Sequence, residues 1–340
     1  MVEAFLNLAA TDRFDVLGVA ADRLERPAHL LEKDVWVVWA LQVLFASAVK
    51  DHLVFKGGTS LSKAYGVIQR FSEDVDLTYD IRALVPDLLE GRPDALPATS
   101  SEERRWSRRV REILPHWVSD TVQPIIATAL SAQKLDAEIR LEGEKLFIDY
   151  MPLAKGTGYV SPSVMLEFGA RSTGEPATPR DIKCDAEGTV DGVSFPTARP
   201  RVMHAERTFW EKATAIHVFC LQERMRGDRF SRHWHDIARL DVAGIADAAI
   251  RDHDLALAVA RHKAMFFAEK AAEGQKVDYV AAVTGGLRLA PGGSALERLA
   301  EDYRHMAEDG LLAATPEPFS ILMDRCAEIA DRANASARRT

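Results

Sequence analysis

Cysteine is scarce in this chain: Cys184, Cys220 and Cys326 are the only three in 340 residues, far apart and without a C-x-x-C pair. That excludes a disulfide framework and a cysteine-based zinc site. Long apolar runs are missing too. The densest, Val35 to Val49, is interrupted by Gln42 and closed by Asp34 and Lys50. A membrane span needs about 20 apolar residues, so a buried helix is expected there and no membrane association. Met1 to Asp15 holds acidic residues and no basic stretch leading into an apolar one. No secretory signal is expected, and the cytoplasm is the default compartment. Positive charge is not in excess: 43 Lys and Arg against 51 Asp and Glu leave a formal charge of −8. Such a chain does not coat nucleic acid through bulk charge, although a local basic groove is compatible with it. No internal repeat is visible. Ordinary core material is plentiful, with 47% hydrophobic and 28% charged residues, enough for a sizeable core and too much for a disordered chain.

Periodicity gives the order of elements. Residues 1–31 carry two short helical patterns interrupted at Pro27, and Glu32 to Val49, free of Gly and Pro, reads as one long buried helix. His52 to Phe55 reads as a short buried strand that stops at Gly57-Gly58. Thr59 to Ile68 then looks helical, with Thr59 or Ser60 placed to cap the first turn. Val75, Leu77 and Tyr79 alternate with Asp74, Asp76 and Thr78, the period of a strand. The stretch 86–100 reads as loop, and Ser100 with Glu103 has capping-box spacing for a helix from 101 to about 113 that resumes after Pro115. Strands are expected at Glu138–Leu141, Leu146–Tyr150 and Ser163–Gly169, followed by an irregular, proline-punctuated connection over 172–200. Beyond 201 the pattern is Ala-rich and helical, broken by a Gly-rich loop at 285–293. The expected fold class is α+β: a mixed-sheet core with N-terminal helices over 1–200 and a helical C-terminal lobe over 201–340.

The chemistry concentrates in two short segments separated by one helix. In Phe55-Lys56-Gly57-Gly58-Thr59-Ser60, two glycines at a strand end let backbone N–H groups approach an anion. In Ser72-Glu73-Asp74-Val75-Asp76-Leu77, two carboxylates two positions apart on a strand share one face, while Val75 and Leu77 bury the other. A pair of carboxylates beside a phosphate-binding turn suits Mg²⁺ and a nucleoside triphosphate, because magnesium takes one or two protein carboxylates plus phosphate oxygens. Taken singly, a Gly-Gly is an ordinary turn and an Asp-x-Asp an ordinary solvated face; together they are specific.

These segments resemble the signature of the nucleotidyltransferase superfamily. More narrowly, Lys56-Gly57-Gly58-Thr59-Ser60-Leu61 and Arg70-x-Ser72-Glu73-Asp74-Val75-Asp76-Leu77 are similar to the AbiEii/AbiGii-type toxins of bacterial type IV toxin–antitoxin systems. Glu32-Lys33-Asp34 resembles the family's N-terminal element, Glu206-Arg207-Thr208-Phe209-Trp210-Glu211-Lys212-Ala213 its helical lysine motif, and Arg232-His233-Trp234-His235-Asp236-Ile237 its later aspartate motif. The 14 residues between Thr59 and Asp74 make the spacer slightly longer than the superfamily's usual one.

The resemblance implies a bilobed nucleotidyltransferase with its cleft between the lobes, transferring a nucleoside monophosphate from NTP to an acceptor hydroxyl with release of pyrophosphate. Asp74 and Asp76 would hold Mg²⁺, with Glu167, a charge in an otherwise apolar strand, as a third carboxylate or else paired with Arg171. Lys56, Gly57, Gly58, Thr59 and Ser60 would cradle the triphosphate, Lys212 would offset its charge, and Asp236 would orient nucleotide or acceptor. Read without the family, Lys212 is a snorkelling lysine and Asp236 a partner of Arg232 or Arg239. The acceptor expected from the resemblance is RNA, in the family's pattern tRNA, and the expected partner is an antitoxin of winged-helix type acting without a stable complex. Arg104, Arg105, Arg108, Arg109 and Arg111 would suit an RNA path, or simply a solvated face diluted by Glu102, Glu103 and Glu112. His233-x-His235 is no zinc site, because alternate helical residues point apart. Two other readings stay open: an antibiotic-type small-molecule nucleotidyltransferase, mildly favoured by the acidic balance, and a non-catalytic binding protein with a decayed site.

Overall fold

The computed structural model describes residues 2–68, 70, 72, 74–89, 91, 92, 94–154, 160–223, 230–308, 312 and 316–338. Phe71 and Glu73 of the motif around Asp74 lie outside the described residues. The chain is mixed α+β and divides into two compact units. The first comprises Met1–Ala64, Glu73–Ala95 and Arg108–Met203, and the second Tyr65–Ser72, Leu96–Ser107 and His204–Thr340.

The first unit is built on a seven-stranded mixed sheet. Its strands are β1 (Leu53–Lys56), β2 (Val75–Tyr79), β3 (Ala137–Glu142), β4 (Lys145–Tyr150), β5 (Ser163–Gly169), β6 (Ala177–Pro179) and β7 (Arg201–Met203), in the spatial order β3-β4-β5-β2-β1-β7-β6. β2 runs antiparallel to β1 and parallel to β5, and β1 runs parallel to β7. The central strands are apolar on alternate residues: Phe55, Leu77 and Phe168 are paired across β1, β2 and β5, and all are buried. Helix α1 (Ala10–Leu24) precedes α2 (Ala28–Ala46), which starts directly after Pro27, the expected interruption, and four residues before the position expected from hydropathy. A proline suits a helix start because its missing N–H is not needed there. Trp39 of α2 is fully buried and donates its indole N–H to Gln133 at 3.0 Å, and Trp36 stacks on Tyr150 with centroids 5.1 Å apart. Buried indoles of this kind need an acceptor, which Gln133 supplies.

Helix α3 (Gly57–Lys63) follows β1 directly. It starts at the first glycine and stops at Lys63, shorter than the expected 59–68, and neither Thr59 nor Ser60 caps it. Helix α4 (Ser100–Trp117) runs through Pro115 without a break. Its cap lies one residue earlier than the spacing suggested: the Glu102 N–H donates to Thr99 Oγ1 at 3.2 Å, and Glu102 Oε2 accepts the Ala98 N–H at 2.7 Å. The connection 172–200 is not wholly irregular, since it contains β6, a short antiparallel pair (Ile182–Lys183 with Thr197–Ala198) and Val193–Ser194, which pairs with Glu3–Ala4.

The second unit is largely helical, with α5 (Ala205–Gln222), α6 (Arg232–Val242), α7 (Ile245–Arg251), α8 (His253–Phe266), α9 (Gly293–Glu308) and α10 (Phe319–Ala337). Its core gathers Phe209, Trp210, Ile216, Trp234, Ile237, Leu299 and Ile329. The indole N–H groups of Trp210 and Trp234 donate to the carbonyls of Ala249 (2.9 Å) and Leu289 (2.7 Å). The three cysteines are free and buried, and burial pushes the Cys220 thiol up to about 12. No helix among the described residues is long and apolar enough to cross a membrane.

Candidate active site

The strand register of the first unit puts four charged residues in one row. Lys56 of β1 pairs with Asp76 of β2, Asp76 with Glu167 of β5, and Glu167 with Lys145 of β4. Residues paired in register project to the same face of a sheet, so the row reads plus, minus, minus, plus. The neighbouring row, Phe55–Leu77–Phe168, is the buried apolar one. Lys56, Asp76, Glu167 and Lys145 are all partly exposed, whereas Val75 and Leu77 on either side of Asp76 are fully buried. Lys145 Nζ lies 3.0 Å from Glu167 Oε2, so Lys145 is a partner of Glu167. Glu167's hydrogen bond holds the Lys145 ammonium above its ordinary pKa against the effect of burial, and the charges of Glu167 and Asp74 add to it.

Gly57 begins α3 with φ of +80°, a conformation L side chains rarely adopt, and it faces Asp76 so closely that a Cβ would overlap Oδ2 and lie 2.8 Å from Cγ. Only glycine fits between this turn and the Asp76 carboxylate. Thr59 Oγ1 donates to the backbone carbonyl of Asp74, and Ser60 Oγ donates to the Gly57 carbonyl at 2.9 Å. Both hydroxyls are buried and serve the turn itself, so any anion cradle here is made by backbone N–H groups and not by these side chains. Asp74 stands one residue before β2, partly exposed. Among the described residues no group of three or more His, Cys, Asp or Glu is close enough to hold a metal ion by protein ligands alone. Two hard carboxylate oxygens beside a glycine cradle, with the remaining positions left to phosphate and water, match the donor set magnesium takes.

The second unit carries the other motif residues. Lys212 of α5 and Asp236 of α6 meet: Nζ lies 2.9 Å from Oδ2. Asp236 has no exposed surface, and the guanidinium of Arg70 grips it from a segment remote in sequence, Nε to Oδ1 at 2.7 Å and Nη2 to Oδ2 at 2.8 Å. Burial alone would raise the Asp236 carboxyl, but Arg70 and Lys212 outweigh it and hold the group far below the ordinary carboxylate range. The Lys212 side chain keeps about a tenth of its surface exposed. His233 and His235 flank the pair; burial depresses both, His235 to about 4, so their rings stay neutral near pH 7. Arg70 is the residue that sequence reasoning did not single out. Its only signal was membership of the motif before Asp74, and nothing local links it to Asp236, 166 positions away.

A family model described as the nucleotidyl transferase AbiEii toxin of type IV toxin–antitoxin systems matches residues 39–325 of the chain. Among solved structures, the nucleotidyltransferase toxin MenT4 of Mycobacterium tuberculosis aligns over 95% of this chain and 99% of its own, at 15% identity and a TM-score of 0.38. No curated protein sequence matches the chain. The family match runs from α2 to α10 and takes in the Gly57 turn, Asp74, Asp76, Glu167, Lys212 and Asp236. The chain therefore belongs to the AbiEii family of nucleotidyltransferase toxins, enzymes that use an NTP and act within a toxin–antitoxin pair.

Proposed function

We propose that the chain transfers a nucleoside monophosphate from NTP to a hydroxyl of an RNA acceptor, in the first instance tRNA, with Mg²⁺ bound and pyrophosphate released. The observation that carries this reading is the charged row on the sheet, with Gly57 pressed against Asp76. Asp74 and Asp76 hold the metal in this proposal. When bound, magnesium polarises the α-phosphate and acidifies the attacking hydroxyl. The backbone of Gly57, Gly58 and Thr59 receives phosphate oxygens, which the missing Cβ at Gly57 permits. Lys56, at the end of the row, adds positive charge beside Asp76. Glu167 acts as an auxiliary carboxylate whose ion pair with Lys145 competes with a direct role.

Lys212 offsets charge that develops on the triphosphate as pyrophosphate leaves. Asp236 serves it indirectly. A carboxylate with no exposed surface and both oxygens engaged does not meet a substrate, so its role is to hold Lys212, with Arg70 fixing its orientation. The enzyme works in the cytoplasm, where NTPs and tRNA are found, and its antitoxin is a winged-helix protein that restrains it without a stable complex.

The test is direct. The purified chain is incubated with each labelled NTP, Mg²⁺ and total RNA, and pyrophosphate and label in RNA are followed. Label should enter RNA, and the chain expressed alone should arrest bacterial growth. Pyrophosphate release only with small hydroxylated acceptors would give the antibiotic-type enzyme instead, and no pyrophosphate with any acceptor would refute the catalytic reading.

A further inference from the structure

Helix α2 contains three consecutive charged residues, Glu32, Lys33 and Asp34, and all are buried, at 2%, 3% and 8% exposure. Charges buried in an apolar helix are costly unless each finds a partner. Here each finds one in a different segment of the first unit. The Glu32 carboxylate accepts the N–H groups of Leu153 (2.9 Å) and Ala154 (3.2 Å), and Lys33 Nζ donates to the Ser161 carbonyl at 3.0 Å. Asp34 accepts the Asp185 N–H at 2.6 Å and pairs with Lys63 Nζ, also at 2.6 Å. Lys63 is bound on its other side by Asp185 at 2.6 Å, and Asp185 is bound in turn by Arg26.

Lys63 is the last residue of α3, and Gly57 is the first. A helix of two turns does not hold its own conformation or orientation in water. At its front end α3 touches the carboxylate strand, through Gly57 against Asp76 and Thr59 Oγ1 on the Asp74 carbonyl. At its rear end the Asp34–Lys63–Asp185 cluster ties it to α2. Burial would lower the Lys63 pKa, yet Asp34 and Asp185 hold it above the ordinary range, so the ammonium stays charged at neutral pH; burial raises the Asp34 carboxyl against the pull of Lys63.

We propose that Asp34 and Lys63 are positioning residues for nucleotidyl transfer: they anchor α3 from behind, so that Gly57 and Thr59 stay seated on Asp76 and Asp74. This rests on the reading of Asp74 and Asp76 as metal carboxylates given under Proposed function. The cluster touches neither phosphate nor metal in this account, and its contribution is geometric. Outer partners of this kind are worth roughly 10–100-fold when removed.

The experiment compares Lys63→Met, Asp34→Asn, Lys63→Arg and, as a stability control, Leu41→Ala, which truncates a fully buried residue of the same helix. Two readouts are taken: KM for NTP with the Mg²⁺ requirement of transfer, and hydrogen–deuterium exchange of the amides. Lys63→Met and Asp34→Asn should each raise the NTP KM or the Mg²⁺ requirement by about tenfold or more. Exchange should rise over 57–64 and 74–76 beyond the change elsewhere. Lys63→Arg should retain most of the wild-type behaviour, and the Asp34→Asn/Lys63→Met double variant should lose little beyond either single one. Leu41→Ala should lower the melting temperature with KM and Mg²⁺ requirement unchanged. If Lys63→Met does not fold, Asp34→Asn and Asp185→Asn carry the same comparison. Wild-type KM in these variants, with exchange raised as evenly as in Leu41→Ala, would overturn the proposal. If the wild-type chain transfers nothing, the reading of the site fails separately, and the exchange data still decide whether Lys63 anchors α3.

Discussion

The two aspartate motifs of this toxin use the same side chain in opposite ways. Asp76 sits on a sheet, partly exposed, in a row where two carboxylates are flanked by two lysines, and the missing Cβ of Gly57 leaves room for its carboxylate. Asp236 sits in a helix with no exposed surface, gripped by an arginine on one side and a lysine on the other. In the proposed mechanism the first holds an incoming metal, whereas the second is fully engaged by two cations of its own unit. A partly exposed carboxylate, proposed above to hold a metal, should be dispensable to folding, because solvent screens its charge. A carboxylate that satisfies two buried cations should be needed by fold and activity together. The contrast teaches that a motif aspartate is not by itself a substrate contact.

The comparison breaks most sharply on isosteric replacement. Asp76→Asn, and likewise Asp74→Asn, should lower transfer by at least about 10²–10³-fold, with the melting temperature unchanged or slightly raised. Asp236→Asn should also lose transfer, but with a stability loss of about 3–5 kcal/mol, since removing one member of a buried ion group strands the others. Arg70→Met should do the same. Lys212→Met should cost activity to a similar degree, whereas Lys270→Ala and Asp278→Ala, exposed positions of the second unit, should stay within a few-fold of wild type. Thermal melts and initial rates on the same preparations read all of these.

Gly57→Ala sharpens the comparison from the other side. A left-handed backbone costs an L residue about 1–2 kcal/mol, and the added Cβ collides with Asp76 Oδ2. Transfer should fall by about 10²-fold or more, more than so small a stability loss explains, because the displaced group is the carboxylate proposed to hold the metal.

Acid titration separates the two regions without mutation of the first. The Asp236 carboxyl is depressed in the folded chain, so its contribution to stability is present above the ordinary carboxylate pKa of about 3.9 and is lost as pH falls through the lower folded value. The stability gap between wild type and Asp236→Asn should therefore be level from pH 7 to about 5 and narrow below about 4. His217, pushed down to about 4 by burial and by Arg288, and accepting the Arg288 N–H at Nδ1, adds a second slope. Its folded value lies below 6.5, the unfolded chain takes the proton first, and stability declines between pH 6.5 and about 4. His217→Gln should flatten that part of a melting-temperature-against-pH curve. The smallest effect is expected at Glu167→Gln, a few-fold loss of transfer, because Lys145 already occupies that carboxylate.

Local pattern carried the strand–turn–helix–strand order, the carboxylate face of β2 and the apolar strand holding Glu167, since alternation and glycine turns are written within a few residues. The family pattern pointed to Lys212 and Asp236, which the structure brings together as an ion pair. What neither gave were partnerships across the chain. Arg70 and Asp236 are 166 residues apart, Lys63 and Asp185 are 122 apart, and the Lys145 that takes Glu167 comes from the neighbouring strand. The start of α3 at Gly57 was missed for a related reason: glycine is a poor helix former, and its place there follows from the closeness of Asp76, which no propensity records. Thr59 and Ser60 have cap-forming side chains, yet the Thr59 hydroxyl spans to the Asp74 carbonyl once β2 lies beside α3.

The measurement closest to the central claim follows nucleotide transfer and thermal unfolding on one preparation each of Asp76→Asn and Asp236→Asn beside wild type, with Mg²⁺ and the preferred NTP. The account predicts that Asp76→Asn is inactive and fully stable, while Asp236→Asn is inactive and destabilised. Transfer near the wild-type rate in Asp76→Asn, or an Asp236→Asn protein as stable as wild type, would contradict it.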